Sequence, residues 1–367
     1  VAALKIGLIG CGVIAQVMHL HFLSEMPQLF EIAAVCDVSR EVAEACATRF
    51  RVPIVTEDWR DLIAAPIDAV MVLTPGSHAP IAIAAAEAGK HVFVEKPLCF
   101  SPAEGRAMIA AAATAGIVML VGYNKRYDPA YERLQAEMAA VTDLRLARVT
   151  TFESPFEPYV AHFPMHIGAA LPDAIIAPLR QETADRLDAA VGGDAESRRL
   201  YHTILLDSMV HELNALRGIL GEPDRVDFAD LGRHGANIVL RFGDRRAILT
   251  WIDLPGFARY QMEFAFFAPD RRLTLAFPSP YLRNAAAMLT EEVGVSGTTE
   301  SSSTSQMFSY HAGFKTELEH FHDCIVNGTA PRTPASDALR DIALCGAILE
   351  AHRTGAPVAN PTSGAAG

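Results

Sequence analysis

The stretch LKIGLIGCGVIA, residues 4–15, decides the fold. Leu4–Ile9 is a short apolar run of the kind that forms a strand buried on both faces. It ends in Gly10-Cys11-Gly12-Val13-Ile14-Ala15, a G-x-G-x-x-A between a strand and an amphipathic segment over 14–26. Gly10 permits a tight turn and Gly12 lets a pyrophosphate approach the backbone. Ala15 allows close helix packing, with Cys11, Val13 and Ile14 completing a cradle at the helix N-terminus. The next strand, Ile32–Cys36, ends at Asp37, about 20 residues beyond the motif, where a carboxylate accepts hydrogen bonds from a ribose diol. That carboxylate would repel a 2′-phosphate, so NAD is expected over NADP, although Arg40 lies near enough to accommodate the extra phosphate.

The same rhythm continues outward. Apolar runs at Ala69–Leu73, His91–Val94 and Ile117–Val121 alternate with helical patterns around 40–50, 78–88 and 102–115. Continuously apolar strands alternating with helices imply a parallel sheet covered on both faces, a doubly wound α/β domain over residues 1–122. Beyond residue 123 the pattern changes to alternating segments at Arg225–Arg233, Ala236–Phe242, Arg246–Leu254, Tyr260–Phe267 and Arg271–Phe277. These predict an open, mainly antiparallel sheet in a second, α+β domain over 123–353. Residues 354–367 form a tail, of which PTSGAAG is expected to lack structure. GVSGTTESSSTSQ, 294–306, is polar and turn-rich enough for a mobile loop.

Bulk properties exclude several roles. The 367 residues carry 31 Lys and Arg against 43 Asp and Glu, a formal charge of −12 with no basic block, which argues against nucleic acid or an anionic membrane as partner. The six cysteines are scattered and form no C-x-x-C pair, so neither a disulfide framework nor a zinc site is expected. No run is long and apolar enough to span a membrane. The chain opens directly into a strand, without the charged, apolar and cleavable regions of a signal peptide, and a cytoplasmic location is expected.

Within HVFVEKPLC, 91–99, the charges of Glu95 and Lys96 follow a buried strand and are either solvated loop residues or aimed at something bound in the crevice beyond the strand ends. Asp207 and His211 lie four apart in the helical stretch 203–217, which places them on one face of an α-helix. An imidazole can take a hydroxyl proton near neutral pH while the acid orients it. Such pairs are usually ordinary helix neighbours. His162 and His166, in HFPMH, are also four apart, but Pro164 between them argues against a helical metal site, and no metal is expected. They are read as lid or substrate residues.

GLIGCGVIA at 7–15, Thr74-Pro75-Gly76-Ser77-His78, AGKHVFVEKPL at 88–98 and LLDSMVHELNAL at 205–216 together resemble the Gfo/Idh/MocA oxidoreductase family, which includes glucose-fructose oxidoreductase and inositol dehydrogenase. The resemblance implies a Rossmann nucleotide domain and a catalytic Lys96, Asp207 and His211. It also implies a peptide bond before Pro97 that is usually cis, and cofactor contacts from Thr74, Pro75, His78, Glu95, Lys96 and Asn124. Arg126, His162, Asp207 and His211 would meet substrate. The implied activity is reversible NAD-dependent oxidation of a secondary alcohol on a polyhydroxylated sugar, cyclitol or glycoside, with His211 as acid and base, in a homodimer or homotetramer. Alternatives within the resemblance are a glycoside-cleaving enzyme that oxidises its substrate transiently and a non-catalytic sugar- or NAD-binding regulator. Two departures stand out. Gly76 replaces the usual Asn of the turn, and residues 154–200 look like an insertion.

Overall fold

The computed structural model describes residues 2–364. The chain forms two compact units. The first gathers the segments up to Tyr123, Phe163–Arg198 and Phe314–Ile342, and the second Asn124–His162, Arg199–Gly313 and the segment from Ala343 on.

In the first unit, strands β1 (Leu4–Ile9), β2 (Phe30–Cys36), β3 (Ile54–Thr56), β4 (Ala69–Val72), β5 (His91–Glu95) and β6 (Met119–Gly122) form a sheet in the order β3-β2-β1-β4-β5-β6. Every neighbouring pair is parallel. This is the doubly wound order, in which ligands bind beyond the carboxyl ends of the strands where the order reverses at β1 and β4. Ile6, Leu8, Val70, Met71, Val92, Phe93 and Val94 are fully buried, as strands covered on both faces require. The helix Pro102–Ala115 is stopped and started by local chemistry: Ser101 and Glu104 form a reciprocal capping box, and Gly116 closes it at φ +66°. The three-residue β3 is too short for a periodicity reading to find.

The second unit holds β7 (Leu146–Glu153), β8 (Arg225–Gly232), β9 (Gly235–Phe242), β10 (Arg245–Asp253), β11 (Gln261–Phe267), β12 (Arg271–Phe277), β13 (Met288–Gly294), β14 (Ser301–Met307) and β15 (Val358–Ala359). They form one sheet, β14-β13-β12-β11-β7-β10-β9-β8-β15. All pairs are antiparallel except β7 with β10. The unanticipated strand β7 is thus the centre of the sheet. Residues 294–306 are not simply a loop: Ser301–Met307 pairs along its whole length with β13. Main-chain pairing at a solvent-exposed edge needs no apolar side chains, which is why composition misreads it. The segment expected to lack structure is likewise ordered as far as described. Thr362 Oγ1 donates to Glu222 Oε2 at 3.2 Å and Ser363 Oγ to the Asn360 carbonyl at 2.9 Å, while residues 365–367 lie outside the described ones.

Over this sheet runs the helical segment that carries Asp207 and His211. Residues Leu200–Met209 are π-helical and continue as the α-helix Val210–Leu220. It is fixed to β7 by a buried bond, Thr151 Oγ1 donating to Glu212 Oε1 at 2.5 Å. Burial pushes the Glu212 carboxyl up to about 7, against the opposing hydrogen bond from Thr151 and the charge of Lys125. The unfolded chain releases this proton near 4.5 while the native state holds it to about 7. Because the native state then binds more protons, stability falls as pH rises through that window and is level above it. Glu212→Gln is expected to remove this loss. In urea unfolding, its stability relative to wild type should rise between pH 5 and 7 by up to about 3 kcal/mol, and parallel curves would show that burial does not hold the proton.

Candidate active site

The turn after β1 is built on two glycines with different jobs. Gly10 has φ +97°, and its N–H donates to the Cys36 carbonyl at 2.9 Å. A Cβ there would stand 2.9 Å from the carbonyl carbon and oxygen of Leu73, so no other residue fits without moving backbone. At Gly12 a Cβ would meet nothing within 4 Å, leaving the backbone open to a ligand where the helix begins. Asp37 closes the ring of contacts, accepting from Cys11 N–H and Ser39 N–H, both at 2.8 Å. Cys11, Val13 and Ile14 carry the chain into the helical residues that follow. An open glycine face at a helix start with a carboxylate at the end of β2 is a donor and acceptor set that fits a dinucleotide.

A second pair of turns lies at the ends of β4 and β5. Gly76 takes φ +92° in the Thr74-Pro75-Gly76 turn, and the Lys96–Pro97 peptide bond is cis. His78 is buried and joins the two turns, its Nδ1 2.7 Å from the Pro97 carbonyl and its Nε2 2.8 Å from that of Thr74. Burial lowers its pKa, opposed by the two carbonyls. A neutral imidazole has one N–H for these two acceptors. Both ring nitrogens face main chain, so His78 ties the two turns together.

Glu95 is buried at 8% exposure beneath Lys96. Its Oε1 lies 2.6 Å from His19 Nε2, and its Oε2 accepts the Lys96 N–H at 3.1 Å. Burial pushes its pKa up, but the bond to His19 and the charges of His19 and Lys96 outweigh that and leave it below the usual carboxylate range. Glu317, on the helix Gly313–Asn327, completes the buried group, with donor atoms of the three residues all within 4.8 Å. Sequence spacing gives no sign of Glu317, because it reaches β5 only through the fold. His19→Ala would leave a carboxylate buried without its partner. A loss of about 3 kcal/mol in unfolding free energy at neutral pH is expected from denaturant titration, and a change below about 0.5 kcal/mol would show the pair to be dispensable.

The second unit holds Asn124, Arg126, His162, Asp207 and His211. Asn124 is buried in a short 3-10 turn, Asn124–Tyr127, and Arg126 reaches Asn214 Oδ1 at 3.4 Å. His162 is exposed. Asp207 is exposed and sits on the π-helical turn, while His211 is half-buried in the α-helical one. The turn between them is wider than the α-turn the spacing implies, since π-helical bonds run i→i+5.

Around this helix lies a polar and aromatic group that sequence reasoning missed. Glu153 accepts from Ser208 Oγ at 3.1 Å, and burial raises its pKa. Lys125, buried in the Asn124–Tyr127 turn, acts electrostatically on both Glu153 and Glu212. Tyr260 is raised well above the ordinary phenol value by burial and by Glu212, Glu153, Tyr281 and Tyr159 around it. Tyr260 N–H donates to Tyr159 Oη at 2.8 Å, and Phe156 lies against Tyr281 with centroids 5.7 Å apart. Hydroxyls, carboxyls and aromatic faces together suit a polyhydroxylated ring. Glu212 is the one member with a sequence signal, its place beside His211.

Comparison with known proteins places this geometry. Residues 4–123 match the family model described as an oxidoreductase family with an NAD-binding Rossmann fold, GFO_IDH_MocA. Levoglucosan dehydrogenase of Pseudarthrobacter phenanthrenivorans is 41% identical over 136 residues, 35% of this chain and 35% of that protein. The chain thus spans about a third of the length of that relative. The scyllo-inositol 2-dehydrogenase (NAD(+)) of Bacillus subtilis is 24% identical over 89% of this chain and 88% of its own. A solved structure of levoglucosan dehydrogenase in complex with NADH and L-sorbose superposes with a TM-score of 0.76 at 21% identity, over 98% of this chain and all of that one, a likeness of fold. The cradle at Gly10 and Gly12, Asp37 and the order of the first sheet lie within the matched segment, so residues 4–123 carry the NAD-binding Rossmann fold of that oxidoreductase family.

Proposed function

We propose that this protein is an NAD-dependent oxidoreductase that interconverts a secondary alcohol and a ketone on a sugar, cyclitol or glycoside. The observation that carries this reading is the Glu95-Lys96-Pro97 turn. It is placed at the carboxyl end of β5 and held from below by His19 and from the side by His78. A lysine at the ligand-binding edge of a dinucleotide sheet, on a turn this constrained, is suited to a reacting oxygen.

Gly10, Cys11, Gly12, Val13 and Ile14 would hold the pyrophosphate, Asp37 the adenosine ribose, and Thr74, Pro75, Lys96 and Asn124 the nicotinamide half. The bound dinucleotide supplies the hydride acceptor. His211 removes the hydroxyl proton of the substrate, and Asp207 orients the hydroxyl or the imidazole. Lys96 stabilises negative charge on the oxygen as the hydroxyl proton leaves. Arg126 and His162 are carried as substrate contacts. The substrate class is supported by relatives named for levoglucosan and scyllo-inositol, and by the aromatic and carboxyl groups at Phe156, Tyr159, Tyr260, Tyr281, Glu153 and Glu212.

The test follows absorbance of reduced nicotinamide with NAD or NADP and a panel of inositols, aldoses and simple glycosides. Turnover with NAD is expected for at least one polyol. Lys96→Ala and His211→Ala should each lower kcat by about 10²- to 10⁴-fold with an unchanged far-ultraviolet circular dichroism spectrum. Turnover undiminished in either variant removes that residue's role, and no turnover anywhere in the panel contradicts the substrate class.

A further inference from the structure

The region that reads as an insertion, 154–200, does not stay with the second unit. From Phe163 to Arg198 it belongs to the first. Its opening residues cross the beginnings of the two helices that follow β1 and β2. Gln16, buried at 4% exposure, donates from Nε2 to the His166 carbonyl and accepts the His166 N–H at Oε1, both at 2.9 Å. The His166 ring lies 2.8 Å from Glu41 Oε1, and Ala169 N–H donates to Glu41 Oε2 at 3.1 Å. The Arg49 guanidinium donates to the Pro164 carbonyl. Gly168 lies so close to the helix Arg40–Phe50 that a Cβ on it would stand 2.8 Å from Val42 Cγ2 and 3.0 Å from Ser39 Oγ.

That contact falls at a chemically meaningful place. Ser39 is the N-cap of Arg40–Phe50, the helix that begins just after Asp37. In a dinucleotide fold, the 2′-hydroxyl of the adenosine ribose meets the acid at the end of β2, and a 2′-phosphate in its place would seek the adjoining helix N-terminus and a nearby arginine. Here two backbone donors of that turn and the arginine are already engaged. Ser39 N–H is given to Asp37, and Val42 N–H to Ser39 Oγ at 3.4 Å. Arg40 is turned to Glu44 Oε1 at 2.7 Å and to Glu57 Oε2 at 3.6 Å. Glu41 is kept anionic beside the turn by the Ala169 N–H and His166.

We propose that Phe163–Ala169 is a strap forming the outer wall of the adenosine subsite, and that by closing the N-terminal turn of Arg40–Phe50 it excludes a 2′-phosphate, so that NAD(H) is admitted and NADP(H) is not. The helix that follows the strap, Asp173–Val191, extends the cover to the other end of the same sheet edge. Arg186 pairs with Glu104 at 2.8 Å, and Glu104 also accepts from Ser77 Oγ at 3.0 Å. Thr183 Oγ1 would stand 3.3 Å from a Cβ at Gly76, so the helix occupies space that a side chain there would need. The proposal rests on the reading of the first unit as a dinucleotide site.

Asp37 alone would also disfavour NADP, so the test separates the two causes. NADH and NADPH are titrated by nicotinamide fluorescence into wild type, Asp37→Ser, the strap-release variant Gln16→Ala/His166→Ala, and the triple variant. Wild type should bind NADH and prefer it over NADPH by at least about 100-fold. Asp37→Ser should still bind NADPH about tenfold more weakly than NADH, and the triple variant should bind NADPH at least about tenfold more tightly than Asp37→Ser does. NADPH binding to Asp37→Ser as tight as NADH, or no gain on releasing the strap, would overturn the proposal. Wild type that binds neither nucleotide would instead sink the dinucleotide reading on which it rests. Should Gln16→Ala/His166→Ala not fold, as judged by circular dichroism, Gly168→Val in the Asp37→Ser background displaces the strap without touching its anchors and carries the same expectations.

Discussion

The first unit depends on the meeting of three strand ends at one residue that can have no side chain. Gly10 leaves β1 at φ +97°, donates to the last carbonyl of β2, and passes against the carbonyl of Leu73 where β4 ends. An alanine there would need both a disfavoured backbone and a shift of Leu73. With that crossing fixed, the carboxyl ends of β1, β2 and β4 converge, and Asp37 can accept from Cys11 on the neighbouring turn. The open face at Gly12 and the acid at Asp37 are therefore consequences of one backbone constraint.

A different means holds the reactive side chains. The Lys96 turn is not rigid because of Lys96 but because of buried groups behind it: Glu95 against His19, and His78 against two carbonyls. In the second unit Thr151 and Glu212 fix the helix that carries His211 to the central strand. Each is a polar group in an apolar interior, costly unless its hydrogen bonds are made, so each has a single favourable arrangement. Such ties trade stability for placement, as the raised carboxyl of Glu212 shows.

Sequence made legible what has a local cause. The glycine turn follows from backbone sterics and the first sheet from continuous apolar runs. What it hid has causes distant in the chain. Leu146–Glu153 is not among the segments that alternation marks out, and only pairing with β10 and β11 makes it central. Glu317 joins His19 and Glu95 through tertiary packing alone. The π-helical turn at Asp207 obeys no residue pattern, so an α-helical spacing rule misjudges its width. The role of Phe163–Ala169 was hidden for the same reason: a strap is defined by what it crosses, and Gln16, Ser39 and Glu41 lie far upstream.

The central claim is hydride transfer from a carbinol carbon to the nicotinamide of a dinucleotide whose pyrophosphate is held at the Gly10–Ile14 cradle. It is tested most directly by incubating the protein and NAD with a polyol deuterated at its carbinol carbons and weighing the recovered cofactor by mass spectrometry. Deuterium on the nicotinamide ring of the reduced cofactor is the predicted result. Product formation with a cofactor that never acquires label would contradict the account.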